Sequence, residues 1–96
     1  MTINEILKSK RAEIFRLATK HGARNLRLFG SVARGQSRPD SDIDLLIDLD
    51  PDRSLLDRIG LKHDLEDLLG RKVDVMTERS LHYYIRESVL KQAVAL

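Results

Sequence analysis

The sequence has no cysteine and no tryptophan, and its aromatic residues are two phenylalanines and two tyrosines among 96 residues. The absence of cysteine excludes disulfide bonds, thiolate metal sites and a cysteine nucleophile. Small secreted domains usually depend on disulfides, so a chain without them is expected in a reducing compartment, here the cytoplasm. With so few aromatic side chains, a core has to be built mainly from leucine, isoleucine and valine.

Long hydrophobic runs are also missing. No apolar stretch approaches the ~20 residues that a membrane-spanning helix needs. Charged residues recur through the first twenty positions, where a signal peptide needs an uninterrupted apolar segment. We therefore expect neither a membrane segment nor a secretory leader. A chain of 96 residues can form one modest core but not two, which predicts a single domain over residues 1–96.

The net charge is only +2, but the charges are divided along the chain. Residues 8–38 carry nine basic side chains and one acidic side chain, whereas residues 40–52 carry six aspartates and no basic side chain. This division suits a phosphate-rich ligand held through a metal ion, although most of the basic residues would equally form the solvated face of a helix. Direct nucleic-acid binding is not favoured, because the basic segment lacks interleaved aromatic residues and a recognised motif.

Apolar periodicity and capping residues predict three helices and three strands. The first helix begins with the capping pair Thr2 and Glu5 and ends at Gly22. Strands are predicted over residues 25–29, 43–49 and 72–76, a second helix from Ser54 to Gly70, a third over residues 81–91 led by Ser80, and a short strand or frayed tail over residues 94–96. The order α-β-β-α-β-α predicts an α/β (α+β) fold, with helices packed against a mixed sheet and the second helix joining two parallel strands.

Asp42 and Asp44 are the first candidates for chemistry. They are two residues apart on a predicted strand, so their side chains leave the same face, with α-carbons about 6.6 Å apart. Carboxylates that close repel each other unless a cation lies between them. Mg²⁺ prefers such oxygen ligands and shares its coordination shell with phosphates, and paired ions serve phosphoryl-type displacements. The pair therefore predicts a site for Mg²⁺, with two ions expected.

Gly30 and Ser31 follow the preceding strand and can form a cradle for phosphates. Glycine lets the chain approach a phosphate closely, while the following amides and the Ser31 hydroxyl can donate hydrogen bonds. Arg34 and Ser41 are candidates for further donors. A Gly-Ser pair alone is usually an ordinary turn, and a lone Asp-x-Asp is nearly as weak. The information lies in the order of strand, Gly-Ser, polar loop, Asp-x-Asp and strand.

That order resembles the signature of the DNA polymerase β-like nucleotidyltransferases. Residues 28–35, Leu-Phe-Gly-Ser-Val-Ala-Arg-Gly, and residues 41–47, Ser-Asp-Ile-Asp-Leu-Leu-Ile, are similar to those of the minimal nucleotidyltransferases, or MNT domains. The resemblance extends over nearly the whole chain and implies the polymerase β-like nucleotidyltransferase fold. It gives Asp42 and Asp44 the role of metal ligands. It also implies a third catalytic and metal-binding carboxylate on a later strand, where this sequence has Asp74.

The resemblance further implies a function. Minimal nucleotidyltransferases are commonly antitoxins that transfer AMP from ATP to a tyrosine hydroxyl of a partner HEPN ribonuclease toxin. We accordingly expect a magnesium-dependent protein adenylyltransferase with ATP as substrate and a HEPN toxin as partner, in a hetero-oligomer. Two alternatives stay open: an antitoxin that acts by steric occlusion, and a nucleotidyltransferase for a small molecule or RNA with a separate acceptor subunit. The intact Asp42, Asp44 and Asp74 favour turnover over occlusion.

Other reactive side chains carry weaker signals. The three histidines have no metal-ligand spacing, and His21 is expected at a helix end. Ser31 has no neighbouring base in the sequence and is read as a phosphate donor rather than a nucleophile. For the adjacent Tyr83 and Tyr84 we expect one side chain in the core and the other exposed at a protein interface.

Overall fold

A mixed four-stranded sheet organises the part of the chain that the computed structural model describes, which is residues 2–36, 38 and 41–96. The strands are β1 (Ala23–Phe29), β2 (Ile43–Leu49), β3 (Val73–Met76) and β4 (Val94–Ala95). Their order across the sheet is β3-β2-β1-β4. β2 and β3 are parallel, while β1 runs antiparallel to both β2 and β4. The predicted mixed sheet is confirmed, and the tail over residues 94–96 contributes a short edge strand.

Helices connect and cover these strands. They are α1 (Ile3–Ser9), α2 (Arg11–Lys20), α3 (Gly30–Ala33), α4 (Leu55–Leu69) and α5 (Tyr83–Gln92), with a 3₁₀ turn over Glu78–Ser80. α4 joins the parallel strands β2 and β3, as predicted. α3 forms one helical turn at the start of the loop from Gly30 to Ser41; residues 37, 39 and 40 of that loop lie outside the described residues. Within the described ranges, no helix is long and apolar enough to cross a membrane.

The prediction of one continuous first helix was wrong, because the helix breaks at Lys10. Lys10 has φ −103° and ψ 8° and separates α1 from α2. In the sequence, Lys10 is the one interruption of an apolar stripe with helical spacing, formed by Ile3, Ile6, Leu7, Ile14, Leu17 and Ala18. The break leaves Lys10 half-buried while Leu7 on one side and Ile14 on the other are buried. The two short helices can therefore each bury their apolar side chains, whereas a single straight helix would carry Lys10 on the same buried face.

The third helix begins later than predicted. Ser80 does not cap it, because the Ser80 hydroxyl donates to the carbonyl of Thr77 at 2.9 Å and accepts from its amide at 2.9 Å, which closes the 3₁₀ turn. Leu81 is then extended and buried. α5 starts at Tyr83, and its N-cap is His82, whose Nδ1 accepts from the Tyr84 amide at 3.3 Å. Local competition between two capping roles of Ser80 accounts for the shift.

Local signals at α4 are confirmed. Ser54 and Asp57 form a reciprocal capping box, and Gly70 ends the helix in the left-handed conformation with φ 67°. Such caps supply partners for backbone groups that the helix leaves unpaired at its ends. These signals come from neighbours in sequence, which is why the sequence suffices to place both ends of α4.

The two faces of the sheet have different roles. The face with Ile43, Leu45 and Ile47 packs with α1, α2 and α4 into the main hydrophobic cluster. The opposite face carries a smaller cluster, in which Leu46 packs with Leu81 and Val89. Since side chains alternate along a strand, Asp42 and Asp44 leave β2 on this second face. α5 therefore covers one part of the face that also carries the candidate carboxylates.

Tyr83 and Tyr84 do not follow the prediction that one of them enters the core. Their side chains are 66% and 75% exposed. The rings lie 4.1 Å apart between centroids and stack next to His82. The side chain of α5 that packs in the core is instead Val89, more than one helical turn after the tyrosines, which contacts the cluster around Leu46.

Candidate active site

Three carboxylates lie together on the second face of the sheet, where β2 and β3 begin. Asp44 on β2 and Asp74 on β3 are partners in the parallel register, and Asp42 immediately precedes β2. Asp44 is half-buried, whereas Asp42 and Asp74 are exposed. Burial raises the pKa of Asp44 from 3.8 to about 6, with further contributions from the negative charges of Asp74 and Asp42 and from a hydrogen bond with Asp74. The three predicted catalytic residues are thus brought together and act on one another.

Gly30 lies directly against this cluster. Its φ of 72° falls in the left-handed region that favours glycine, and a β-carbon at this position would overlap the carboxylate of Asp44. Ser31 follows in the first turn of α3 and is half-buried, while Val32 anchors that turn in the core. Gly30 therefore lies beside the carboxylates with Ser31 next to it in the chain, and their role as a phosphate cradle stays a prediction.

Arg34 lies at the end of α3 with an exposed side chain. Its Nε donates to Gln36 Oε1 at 3.2 Å, and its Nη1 donates to Gln92 Oε1 on α5 at 3.4 Å. Its positive charge lowers the pKa of Asp44, opposing the larger upward contributions. A guanidinium has five N–H donors, so these two bonds leave donors for phosphate oxygens. Its role as a phosphate ligand stays a prediction.

Ser41 closes the loop between α3 and β2. Its hydroxyl oxygen accepts a hydrogen bond from the amide of Arg38 at 2.7 Å, and its own amide donates to the carbonyl of Arg38 at 2.9 Å. In the first of these bonds the oxygen acts as an acceptor, so that bond does not use the hydroxyl proton of Ser41. Its predicted contact with a phosphate therefore stays a prediction, next to a structural role that the sequence did not indicate.

The donor set suits a divalent cation. Over residues 2–36, 38 and 41–96, no three His, Cys, Asp or Glu side chains converge as they stand into a complete metal cage. Even so, Asp44 and Asp74 are close enough to share a hydrogen bond, and the pKa of Asp44 is raised by both neighbouring aspartates. A proton relieves this repulsion at low pH, and a hard cation would relieve it at neutral pH. The all-oxygen chemistry of the site favours Mg²⁺.

Sequence reasoning missed several residues around the site. Gln92 contacts Arg34 across 58 positions, and no local pattern could indicate that pairing. Lys62 and Glu66 of α4 bind the backbone of Val73, next to Asp74. Their spacing of four residues indicates a pair on one helical face. It does not indicate the strand that this face would meet.

The comparisons with known proteins agree with this geometry. Residues 3–96 match the nucleotidyltransferase domain family. The protein adenylyltransferase MntA of Thermococcus cleftensis is 38% identical over 94 residues, covering 98% of this chain and 95% of that protein. A solved structure provisionally described as a minimal nucleotidyltransferase is 48% identical, with a TM-score of 0.84 over 96% of this chain and 94% of the other.

A third comparison shows the fold within a larger assembly. The structure of a tri-AMPylated HEPN toxin of Shewanella oneidensis in complex with an MNT antitoxin matches with a TM-score of 0.68. The identity is 21%, over 92% of this chain and 69% of the other, a level that shows a shared fold. From the match over residues 3–96 and from the carboxylates at the edge of the sheet, this chain belongs to the nucleotidyltransferase domain family, as a minimal nucleotidyltransferase.

Proposed function

We propose that this chain is a magnesium-dependent protein adenylyltransferase that acts in the cytoplasm as an antitoxin. It transfers AMP from ATP to a tyrosine hydroxyl of a HEPN ribonuclease toxin and so inactivates the toxin. The observation that carries the proposal is the register of Asp44 with Asp74 on adjacent strands, with Gly30 against the Asp44 carboxylate. This arrangement supports a cation site at the carboxylates and a phosphate cradle beside it, on the same face of the sheet.

In the proposed reaction, the acceptor hydroxyl oxygen forms a bond to the α-phosphorus of ATP. The bond between that phosphorus and the oxygen bridging to the β-phosphate breaks, and pyrophosphate leaves. Asp74 receives the proton of the hydroxyl, while Gly30, Ser31 and Arg34 hold the phosphates. Mg²⁺, when held by Asp42, Asp44 and Asp74, would neutralise the phosphates and make the hydroxyl easier to deprotonate.

Two lines of comparison support a protein acceptor. The relative named protein adenylyltransferase MntA covers 98% of this chain at 38% identity. In the Shewanella complex, a protein of the same fold is bound to a HEPN toxin that carries AMP groups. The tyrosine acceptor and the HEPN partner are our extension of these findings to this chain.

Labelling with radioactive ATP tests the proposal. The chain is incubated with Mg²⁺, the protein product of the neighbouring gene as acceptor, and ATP labelled at either the α- or the γ-phosphate. Adenylyl transfer predicts label on the partner from α-labelled ATP only, whereas phosphoryl transfer would give label from γ-labelled ATP.

Two variants complete the labelling experiment. Asp44→Asn should abolish labelling, and Asp52→Asn serves as the matched control, because the Asp52 side chain is 83% exposed in the loop after β2. A stable complex without label in the wild type would contradict the proposal and indicate neutralisation by occlusion. Labelled RNA or a labelled small molecule, formed without any toxin, would indicate the third alternative.

A further inference from the structure

The outer edge of β3 is held by side chains of α4. β3 is an edge strand, with β2 on one side only. On its other side, the amide of Val73 donates to Glu66 Oε2 at 3.1 Å, and the carbonyl of Val73 accepts from Lys62 Nζ at 3.0 Å. Lys62 and Glu66 also pair with each other, with Nζ and Oε2 3.1 Å apart. Two side chains thus take the place that a neighbouring strand would occupy.

These contacts are more than a loose surface pairing. Lys62 and Glu66 are both half-buried, and a hydrogen bond from a backbone amide to a carboxylate is among the stronger ones. The pKa of Glu66 is lowered first by the bond from the Val73 amide and then by Lys62. The lowered pKa and the bond from the Val73 amide together indicate that Glu66 is ionised and acts as an acceptor at the strand edge.

Val73 is the residue before Asp74, which links this edge to the candidate active site. The carbonyl of Val73 and the amide of Asp74 belong to one planar peptide group. When Lys62 holds that carbonyl and Glu66 holds the preceding amide, the planes on both sides of the Val73 α-carbon are restrained. The direction in which the Asp74 side chain leaves the strand toward Asp44 is restrained with them.

We propose that Lys62 and Glu66 are positioning residues for Asp74, setting the separation of the Asp44 and Asp74 carboxylates for cation binding. The inference rests on the proposed function, because it gives Asp74 a role in holding the metal ion. The competing reading is that the two side chains only cover an exposed strand edge, as natural sheets commonly require. Edge covering predicts effects on the strand but none on the affinity of the site for a cation.

The test measures strand protection and metal affinity separately, in the full-length chain. Amide hydrogen exchange of Val73 reports its bond to Glu66, and titration with Mn²⁺ alone, followed by electron paramagnetic resonance, reports metal affinity. For Glu66→Ala we expect faster exchange at Val73 and Mn²⁺ affinity about ten-fold weaker or more, the range typical of residues that orient metal ligands.

Three further variants sharpen the comparison. Glu66→Gln keeps an acceptor oxygen for the Val73 amide and should retain Mn²⁺ affinity within about three-fold of the wild type. Lys62→Met keeps the apolar stem but loses the bond to the Val73 carbonyl, so it should also weaken Mn²⁺ binding. This second variant keeps the inference testable if Glu66→Ala does not fold. Glu87→Ala is the control, because it removes an exposed pair of the same spacing on α5, Lys91–Glu87 at 3.2 Å, and should leave Mn²⁺ affinity unchanged.

The inference is overturned if Glu66→Ala and Lys62→Met both bind Mn²⁺ like the wild type, whatever happens to exchange at Val73. It is also overturned if Asp74→Asn binds Mn²⁺ like the wild type, since Asp74 would then hold no metal. Neither readout uses an acceptor protein. A failure to label a HEPN toxin would therefore count against the proposed function alone.

Discussion

Gly30 and Asp44 are in contact across the turn from β1 into α3, and a β-carbon on Gly30 would occupy the position of the Asp44 carboxylate. Gly30 also has φ 72°, a conformation that costs other residues roughly 1–2 kcal/mol. Gly30→Ala should therefore lower both the stability and the Mn²⁺ affinity, because the alanine is strained and displaces a predicted metal ligand. Urea denaturation and Mn²⁺ titration of the variant measure the two effects.

Gly70→Ala separates backbone strain from displacement of the carboxylate. Gly70 has φ 67°, but among the described residues no atom beyond its chain neighbours lies within 4 Å of the position that a β-carbon would take. We expect Gly70→Ala to lose about 1 kcal/mol of stability with unchanged Mn²⁺ affinity. If Gly30→Ala also kept its Mn²⁺ affinity, the close approach of Gly30 to Asp44 would not be needed for metal binding.

The raised pKa of Asp44 predicts how the metal-free protein responds to pH. Between its ordinary pKa of 3.8 and about 6, the folded protein holds a proton on Asp44 that the unfolded chain has released. The stability contributed by this residue therefore falls as pH rises through that window, and the cost is fully present above pH 6. Asp44→Asn should stabilise the metal-free protein at pH 7.5 by about 1 kcal/mol, allowing for screening of a half-exposed group.

The measurement is chemical denaturation of wild type and Asp44→Asn at a series of pH values. The advantage of the variant should shrink toward zero as pH falls toward 4. Added Mg²⁺ should stabilise the wild type at pH 7.5 and leave Asp44→Asn unaffected, because the variant lacks a ligand. A variant less stable than the wild type at every pH would contradict the inferred cost of an ionised Asp44, which comes first from its burial and then from the neighbouring aspartates.

On the other face of the sheet, His21 at the end of α2 packs against Gly60 in α4 and leaves no room for a side chain there. His21 Nε2 lies 2.7 Å from Asp64 Oδ2, and its side chain is only 15% exposed. A β-carbon at Gly60 would lie 2.8 Å from the ring carbon Cε1 of His21. Helix propensity alone predicts that Gly60→Ala stabilises α4 by about 1 kcal/mol, but overpacking against His21 should make it destabilising by about 1–2 kcal/mol.

A double-mutant cycle distinguishes the two effects. In a His21→Ala background, Gly60→Ala should become stabilising, since the ring that it meets is gone. Thermal or urea unfolding of the four proteins gives the coupling. An effect of the same sign in both backgrounds would show that His21 does not explain the glycine inside α4.

Local patterns were sufficient for most of the fold. The capping box of Ser54 and Asp57, the terminal Gly70 and the alternation over residues 43–49 predicted α4 and β2 with correct ends. The same alternation predicted that Asp42 and Asp44 share a face. These features depend on neighbours in sequence, so they can be read without knowing what packs against them.

The features that sequence could not predict depend on distant contacts. The break at Lys10 reflects how α1 and α2 meet the core. The late start of α5 is an exception, because the hydrogen bonds that engage Ser80 are local ones with Thr77. The hydrogen bonds of Lys62 and Glu66 with the Val73 backbone could be predicted only if the position of β3 at the edge of the sheet were already known. The pairing of Arg34 with Gln92 likewise requires the position of α5.

Intact mass spectrometry of the acceptor tests the central claim most directly. The protein product of the gene neighbouring that of this chain is incubated as acceptor with ATP, Mg²⁺ and either wild type or the Asp42→Asn/Asp44→Asn variant. The account predicts that the acceptor gains one or more AMP units with the wild type and none with the variant, with the modified residue a tyrosine. An acceptor that binds the wild type tightly but keeps its original mass would contradict adenylyl transfer as the means of neutralisation.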